Sequence, residues 1–261
     1  MNIWDCHLHS DLSFDSSEPM ENYVKIAAAN GDECFITTEH MDLESHFANG
    51  DDIVADFDRQ QQIIRELNKK YPVEILFGIE IGWRKDIHSR NLQIAEKYPF
   101  DMIILSLHES DYCDVAFPEF RQGKTVDQCY NEYLCLVENA IRSFDNFDTF
   151  AHIDYVLRYV GHTDLEKHRE KLSDIFRLLI EKGKALEINT KVIQQHESVE
   201  RMEYIIQLYS SLGGRKVTVG SDGHSVQRYK NGFGLVFSTL KKYGINHVCL
   251  YRKRREICVS I

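Results

Sequence analysis

Proline is scarce in this sequence, with four in 261 residues, and no Gly/Ser-rich or low-complexity stretch interrupts it. Nothing marks a linker, so residues 1–261 are expected to form one domain, a length that α/β barrels commonly reach. No Cys-x-x-Cys pair occurs among the seven cysteines. That excludes a cysteine zinc site and favours reduced thiols in a cytoplasmic protein over a disulfide set. No apolar run approaches the roughly 20 residues that cross a bilayer. The N-terminus reads Met-Asn-Ile-Trp-Asp, with no basic region ahead of an apolar stretch as a signal peptide would have. Positive charge is also short. The net charge of −10 argues against nucleic acid as a partner, because the phosphate backbone calls for a basic footprint. The one basic cluster, Arg252 to Arg255, is expected to be a solvated segment.

What is present is an alternation. Short apolar, β-branched or aromatic runs recur at Ile3-Trp4, Cys34 to Thr37, Glu74 to Ile79, Met102 to Leu105, Asp148 to Ala151, Ala185 to Ile188, Val217 to Gly220 and His247 to Tyr251. Between them, Met20 to Asn30, Ile53 to Lys70, Val126 to Phe144, Leu165 to Glu181, Met202 to Leu212 and Phe237 to Tyr243 carry helical periodicity. Strand and helix in turn imply a parallel sheet with helices outside it. A closed barrel is favoured over an open doubly wound sheet. An open sheet would announce a nucleotide site with a Gly-rich turn after its first strand, and here that turn is His7-Leu8-His9-Ser10.

In a barrel, reactive residues sit at the C-terminal ends of the strands. His7 and His9 follow the first run, one residue apart and so on one face, with Asp15 a little further on. Glu39-His40 ends the second run, Glu80 the third, His108 the fourth, His152-Ile153-Asp154 the fifth and Asp222-Gly223-His224 the seventh. The sixth ends in Glu187-Ile188-Asn189, which could line a pocket without binding metal. Taken singly, each is an ordinary hydrogen-bonded histidine, solvated strand end or turn residue; their shared position at one rim is what argues for a site. His46, His88, His162, His168, His196 and His247 lie elsewhere and read as surface or core residues. So many ionisable groups buried together need compensating cations. They are too many for one tetrahedral zinc and suit two or three divalent ions, with the two oxygens of Glu80 able to bridge. Such clusters favour attack on phosphorus.

These motifs, from His7-x-His9-Ser10 through Thr38-Glu39-His40-Met41-Asp42, Gly78-Ile79-Glu80, Ser106-Leu107-His108, His152-Ile153-Asp154-Tyr155 and Glu187-Ile188-Asn189-Thr190 to Ser221-Asp222-x-His224, resemble the PHP (polymerase and histidinol phosphatase) phosphoesterases. Within that family the resemblance is to the histidinol-phosphate phosphatase branch. It implies a distorted TIM-like (β/α)7 barrel, with the run from His247 outside it, and three divalent ions of zinc, manganese or iron. It further implies that His7, His9, Glu80 and Asp222 hold the first ion, Glu80, His108 and His152 the second, and Asp15, His40 and His224 the third. Water activated between the first two ions would attack a small phosphate monoester, L-histidinol phosphate in this branch. Arg158 matches an arginine that the branch places near the phosphate, where its planar fork suits two oxygens.

The sequence departs from the branch in three places. The segment after Thr190 usually reaches a second arginine, but here it reads Lys191-Val192-Ile193-Gln194-Gln195, so the second clamp falls to Lys191 or is absent. Glu39 and Gly223 stand where Asp and Ala are commoner. The lost arginine leaves open another small phosphoester or a nucleotide as substrate. Two other classes stay open as well: a metallo-amidohydrolase, which also begins with His-x-His but uses a lysine after strand four, and a non-catalytic PHP scaffold, which would have shed ligands. Glu39, Glu109 and Asp154 are candidates for the cationic end of a substrate, or for supporting metal-bound histidines. No general acid is assigned.

Overall fold

The structure is a computed structural model that describes residues 3–193 and 195–261. Helix α1 (Met20–Asn30) precedes β1 (Cys34–Asp42), followed by a short strand β2 (Ile53–Val54) and α2 (Phe57–Lys70). Next come β3 (Glu74–Gly82), α3 (His88–Lys97), β4 (Met102–Ser106), the single turn α4 (Pro118–Arg121), α5 (Val126–Ser143) and β5 (Thr149–Phe150). Then follow α6 (Leu157–Val160), α7 (Arg169–Glu181), β6 (Ala185–Asn189), α8 (His196–Ser211), β7 (Val217–Gly220) and α9 (Phe233–Lys242). Strands β8 (His247–Arg252) and β9 (Arg255–Ser260) end the chain.

The large sheet runs in the order β2-β1-β3-β4-β5-β6-β7. All its pairings are parallel except that of β2, which lies antiparallel on the end of β1. β1 is buried along its whole length and β3 along nearly all of it, as expected of strands with helices on one side and a packed interior on the other. The sheet is curled, and residues 5–9 fill the gap between its edges. Ile36 and Thr38 of β1 donate to the carbonyls of Asp5 and Leu8, while Cys6 and His9 donate to Val219 and Gly223. That segment is the seventh stave, beside β1, β3, β4, β5, β6 and β7. It forms only an isolated bridge, Leu8 to Gly223, so the expected strand at Ile3-Trp4 is shifted along the chain and irregular.

Several helix limits differ from those the periodicity suggests. The segment at Ile53 begins as β2, and α2 starts only after Asp56, whose side chain accepts from the Arg59 amide as an N-cap. α3, which no clear apolar stripe announces, occupies the connection between β3 and β4. α8 begins at His196 rather than Met202, because its first turn is polar and hides from a periodicity test. α9 begins at Phe233, ahead of Phe237. α5 starts where expected, on a capping box between Thr125 and Gln128. Among the described residues, no helix is long and apolar enough to cross a membrane.

Strands β8 and β9 form a separate antiparallel hairpin. Its two-residue turn, Lys253-Arg254, has positive φ at both positions, the form that matches strand twist but favours glycine or asparagine. Contacts with the N-terminal rim of the barrel hold it there. Lys253 and Arg254 donate backbone bonds to Asp101, whose side chain also accepts from the amide of Phe77. The Arg254 guanidinium reaches Asp148 and Asn146, and buried Asp148 accepts from the Ile103 amide as well. Arg254 of the basic cluster therefore ties hairpin to barrel, while Lys253 and Arg255 are exposed as expected. Arg254→Ala leaves the Asp148 carboxylate short of its cation and is expected to cost about 1–3 kcal/mol of stability, read as a lower urea midpoint with unchanged slope.

Candidate metal centre

The C-terminal ends of the staves deliver their side chains to one place, with Glu80 at its middle. Glu80 is 1% exposed, and five imidazoles close on its two oxygens. His7, His9 and His40 lie 3.2, 3.4 and 3.2 Å from Oε2. His108 and His152 lie 3.3 and 2.8 Å from Oε1. Asp222 Oδ1 stands 3.6 Å from His9 Nε2, and Asp15 bridges His224 at 2.8 Å and His40 at 3.6 Å. All nine residues singled out as ligands are thus brought together. Three sets have donor atoms close enough to share one ion: His7, His9 and Asp222; His9, His40 and His224; and His40, Glu80 and His108. The first falls within the set expected for the first ion. The other two differ from the expected sets in placing His9 beside the third and His40 beside the second.

The polar atoms themselves show that cations fit. His7 Nε2, His9 Nε2, His40 Nδ1 and Glu80 Oε2 are buried and lack a hydrogen-bond partner among the described residues, an arrangement that is costly unless a positive ion meets them. Burial alone would push the Glu80 carboxyl up, but His7, His40 and His108 outweigh it and hold it well below the usual carboxylate range. Burial, with His40 and His224 alongside, pushes His9 well below the usual imidazole range.

Further groups aim these ligands. His7 Nδ1 donates to Glu187 Oε1 at 2.6 Å, and His108 Nδ1 to Asp42 Oδ1 at 2.7 Å, leaving each Nε2 free to face the centre. His9 Nδ1 meets Ser13 Oγ, whose proton goes to Glu39. His152 and Asp222 both have positive φ, a strained backbone that persists where the surroundings hold a side chain in place. Space is reserved too: a Cβ at Gly220 would lie 2.4 Å from the His7 Cβ and 2.6 Å from Glu187 Oε1. Glu187 and Asp42 were visible in the sequence only as parts of strand-end motifs. Their partners, 180 and 66 residues away, could not be read from spacing.

The acidic residues considered for a substrate's cation are already engaged. Glu39 accepts from Ser10 and Ser13, Asp154 pairs with Arg201, and Glu109 accepts from Ser45, His46 and Arg84. His46 supports Glu109 from beside the pocket and does not line it. Arg158 and Lys191 converge on Asp222, Arg158 on Oδ2 at 3.2 Å and Lys191 on Oδ1 at 3.0 Å. Above the cluster opens a pocket whose wall includes Lys191, Phe14, Phe47, Asp114, Tyr155 and Tyr159.

A model of the PHP domain matches residues 5–191 of the chain. The histidinol-phosphatase of Lactococcus lactis subsp. lactis is 31% identical over 258 residues, which cover 96% of this chain and 95% of that protein. The probable histidinol-phosphatase of Clostridium acetobutylicum is 31% identical over 248 residues, 94% of this chain and 93% of the relative. Among solved structures, histidinol phosphate phosphatase from L. lactis subsp. lactis, complexed with zinc, L-histidinol and phosphate, aligns with a TM-score of 0.91. The two are 30% identical, and the match covers 98% of this chain and 99% of that one.

Adding zinc or manganese to chelator-treated protein is expected to raise its melting temperature, since an ion at a hundred times its dissociation constant adds about 2.7 kcal/mol per site. Glu187→Gln is expected to weaken ion binding by about 10- to 100-fold, measured by competition with a coloured chelator.

Proposed function

The chain belongs to the PHP domain family, and we propose that it is a histidinol-phosphatase, converting L-histidinol phosphate and water to L-histidinol and phosphate. The observation that carries this reading is the convergence of five imidazoles on buried Glu80 beneath a small pocket with a cationic edge. The full-length likeness to proteins of that name supports it. In this reading the described residues act as one catalytic unit around a continuous core. The enzyme works in the cytoplasm, in keeping with the absence of disulfides among its cysteines.

His7, His9, Glu80 and Asp222 would hold one divalent ion, Glu80, His108 and His152 a second, and Asp15, His40 and His224 a third. Zinc, manganese or iron bound there supplies Lewis acidity, which acidifies water and screens the charge of the phosphoryl oxygens. The chain's own residues do the rest. Glu187, Asp42 and Ser13 fix the orientation of His7, His108 and His9 before substrate arrives. Lys191 lines the pocket and takes the place of the family's second arginine as a clamp on the phosphate. Arg158 stands behind Asp222, bonded to it and to Asn189. It does not form part of the pocket wall, so it acts on the phosphate through Asp222, whose carboxylate it holds in place. The pocket also gathers aromatic rings at its mouth, Phe14 and Phe47 exposed among them, a surface on which an imidazole can stack.

Phosphate release from L-histidinol phosphate, a nucleoside monophosphate and an aryl phosphate, measured after reloading with manganese or zinc, tests the reading. Histidinol phosphate is expected to be turned over far faster than the others. Equal, slow turnover of all three would remove it as the substrate. Lys191→Ala and Arg158→Ala are each expected to lower kcat/KM by about 10- to 1,000-fold, and to do so on every ester, because Lys191 meets the phosphate that all three share and Arg158 holds the Asp222 ligand beneath it.

A further inference from the structure

Every carboxylate lining the pocket has a basic partner on the chain except one. Asp15 pairs with His40 and His224, Asp42 with His108, Glu80 with five imidazoles, Glu109 with Arg84 and His46, and Asp222 with Lys191 and Arg158. Asp114 is 8% exposed and forms part of the same wall. Among the described residues its carboxylate accepts one hydrogen bond, from the Ala116 amide to Oδ1, and no lysine, arginine or histidine pairs with it. A buried carboxylate without a cation is costly, and the cost is met when the missing charge arrives with a ligand. Burial pushes the Asp114 carboxyl up.

The loop holds this carboxylate beside the metal centre. Val115 donates to the carbonyl of His108 at 3.0 Å, Glu109 and Asp114 form an antiparallel bridge, and Phe117 donates back to Asp114. The backbone at Asp114 is therefore pinned beside that of His108, a proposed metal ligand, and the residue forms part of the pocket wall. We infer that Asp114 is the specificity residue for a primary ammonium on the substrate, accepting its charge-assisted hydrogen bond while the phosphate lies at the metal centre. The inference rests on the proposed phosphatase reading and refines it. In L-histidinol phosphate the ammonium stands on the carbon next to the CH2–O–P group, so a carboxylate that reads it must sit close to the ions, as Asp114 does. The imidazole then points outward to Phe14 and Phe47.

The test pairs L-histidinol phosphate with its analogue lacking the amino group, 3-(imidazol-4-yl)propyl phosphate, on the metal-loaded wild type and on Asp114→Asn. The asparagine keeps an oxygen for the Ala116 amide and removes only the charge. Wild type is expected to favour the amino substrate by about 10- to 100-fold in kcat/KM, the range of one charge-assisted hydrogen bond. Asp114→Asn is expected to raise KM for that substrate far more than it lowers kcat, and to bring the two substrates to within a few-fold of each other. A penalty shared equally by both substrates, or no penalty on either, would overturn the inference while leaving the phosphatase reading in place. A wild type that hydrolyses the analogue as well as L-histidinol phosphate overturns it without any variant. A wild type that hydrolyses neither overturns the phosphatase reading itself.

Discussion

A carboxylate shut away from water among imidazoles makes the strongest demand in this molecule. Glu80 has no solvent to share its charge, and the five rings around it present nitrogens that must either carry protons or face cations. Protonating all of them would set like charges side by side, as the depressed His9 shows. Divalent ions resolve the conflict, since each accepts lone pairs from neutral rings and from the carboxylate at once. Much of the upper rim follows from that need. Glu187, Asp42 and the Glu39-Ser13 pair fix ring orientation, Gly220 leaves room for His7 and Glu187, and the backbone at His152 and Asp222 tolerates positive φ to point side chains inward.

The opposite rim obeys different rules. There the polar contacts are structural: Asp148 and Asp101 accept from strand amides and receive the turn of the C-terminal hairpin. No candidate ligand lies at that end. The division matches the usual separation in parallel barrels, where one face carries chemistry and the other stability. It lets the loops above the centre vary while the staves beneath stay fixed. The irregular stave, residues 5–9, belongs to both regions. Asp5 accepts from Ser221 and Lys230 to close the barrel, and two residues further on the chain supplies His7 and His9.

Much of this architecture could be read before any coordinates. Alternating apolar runs gave away the parallel staves, because strands buried on both faces have a composition that loops lack. The ligands were legible for a related reason: a barrel exposes strand ends at one rim, so polar residues that follow apolar runs are gathered there whatever their separation in sequence. Two kinds of feature stayed hidden. Segments held by tertiary contacts leave no period, which is why residues 5–9 looked like a strand ending at Trp4, and why α3 and the polar first turn of α8 escaped. Partners also stayed hidden. Glu39, Glu109 and Asp154 looked available for a substrate's cation until the fold brought Ser13, Arg84 and Arg201 to them. Asp114, in an irregular loop with no motif around it, is distinguished only by the cation it lacks.

The choice of ligands bears on what such a centre can bind. On the proposed assignment, six of the nine ligands are neutral imidazoles and three are carboxylates, Asp15, Glu80 and Asp222. Three divalent ions then keep a surplus of positive charge that a carboxylate-rich cage would have cancelled. Lys191 and Arg158 add to it on the Asp222 side. A phosphate monoester dianion answers that surplus. The same field would repel an ammonium brought to the same place. A substrate that carries both charges therefore needs an anionic wall apart from the ligands, close enough to reach an adjacent carbon yet not consumed by the ions. Asp114 lies on the loop that follows His108 and ligates nothing, which is the position that this balance of charges requires.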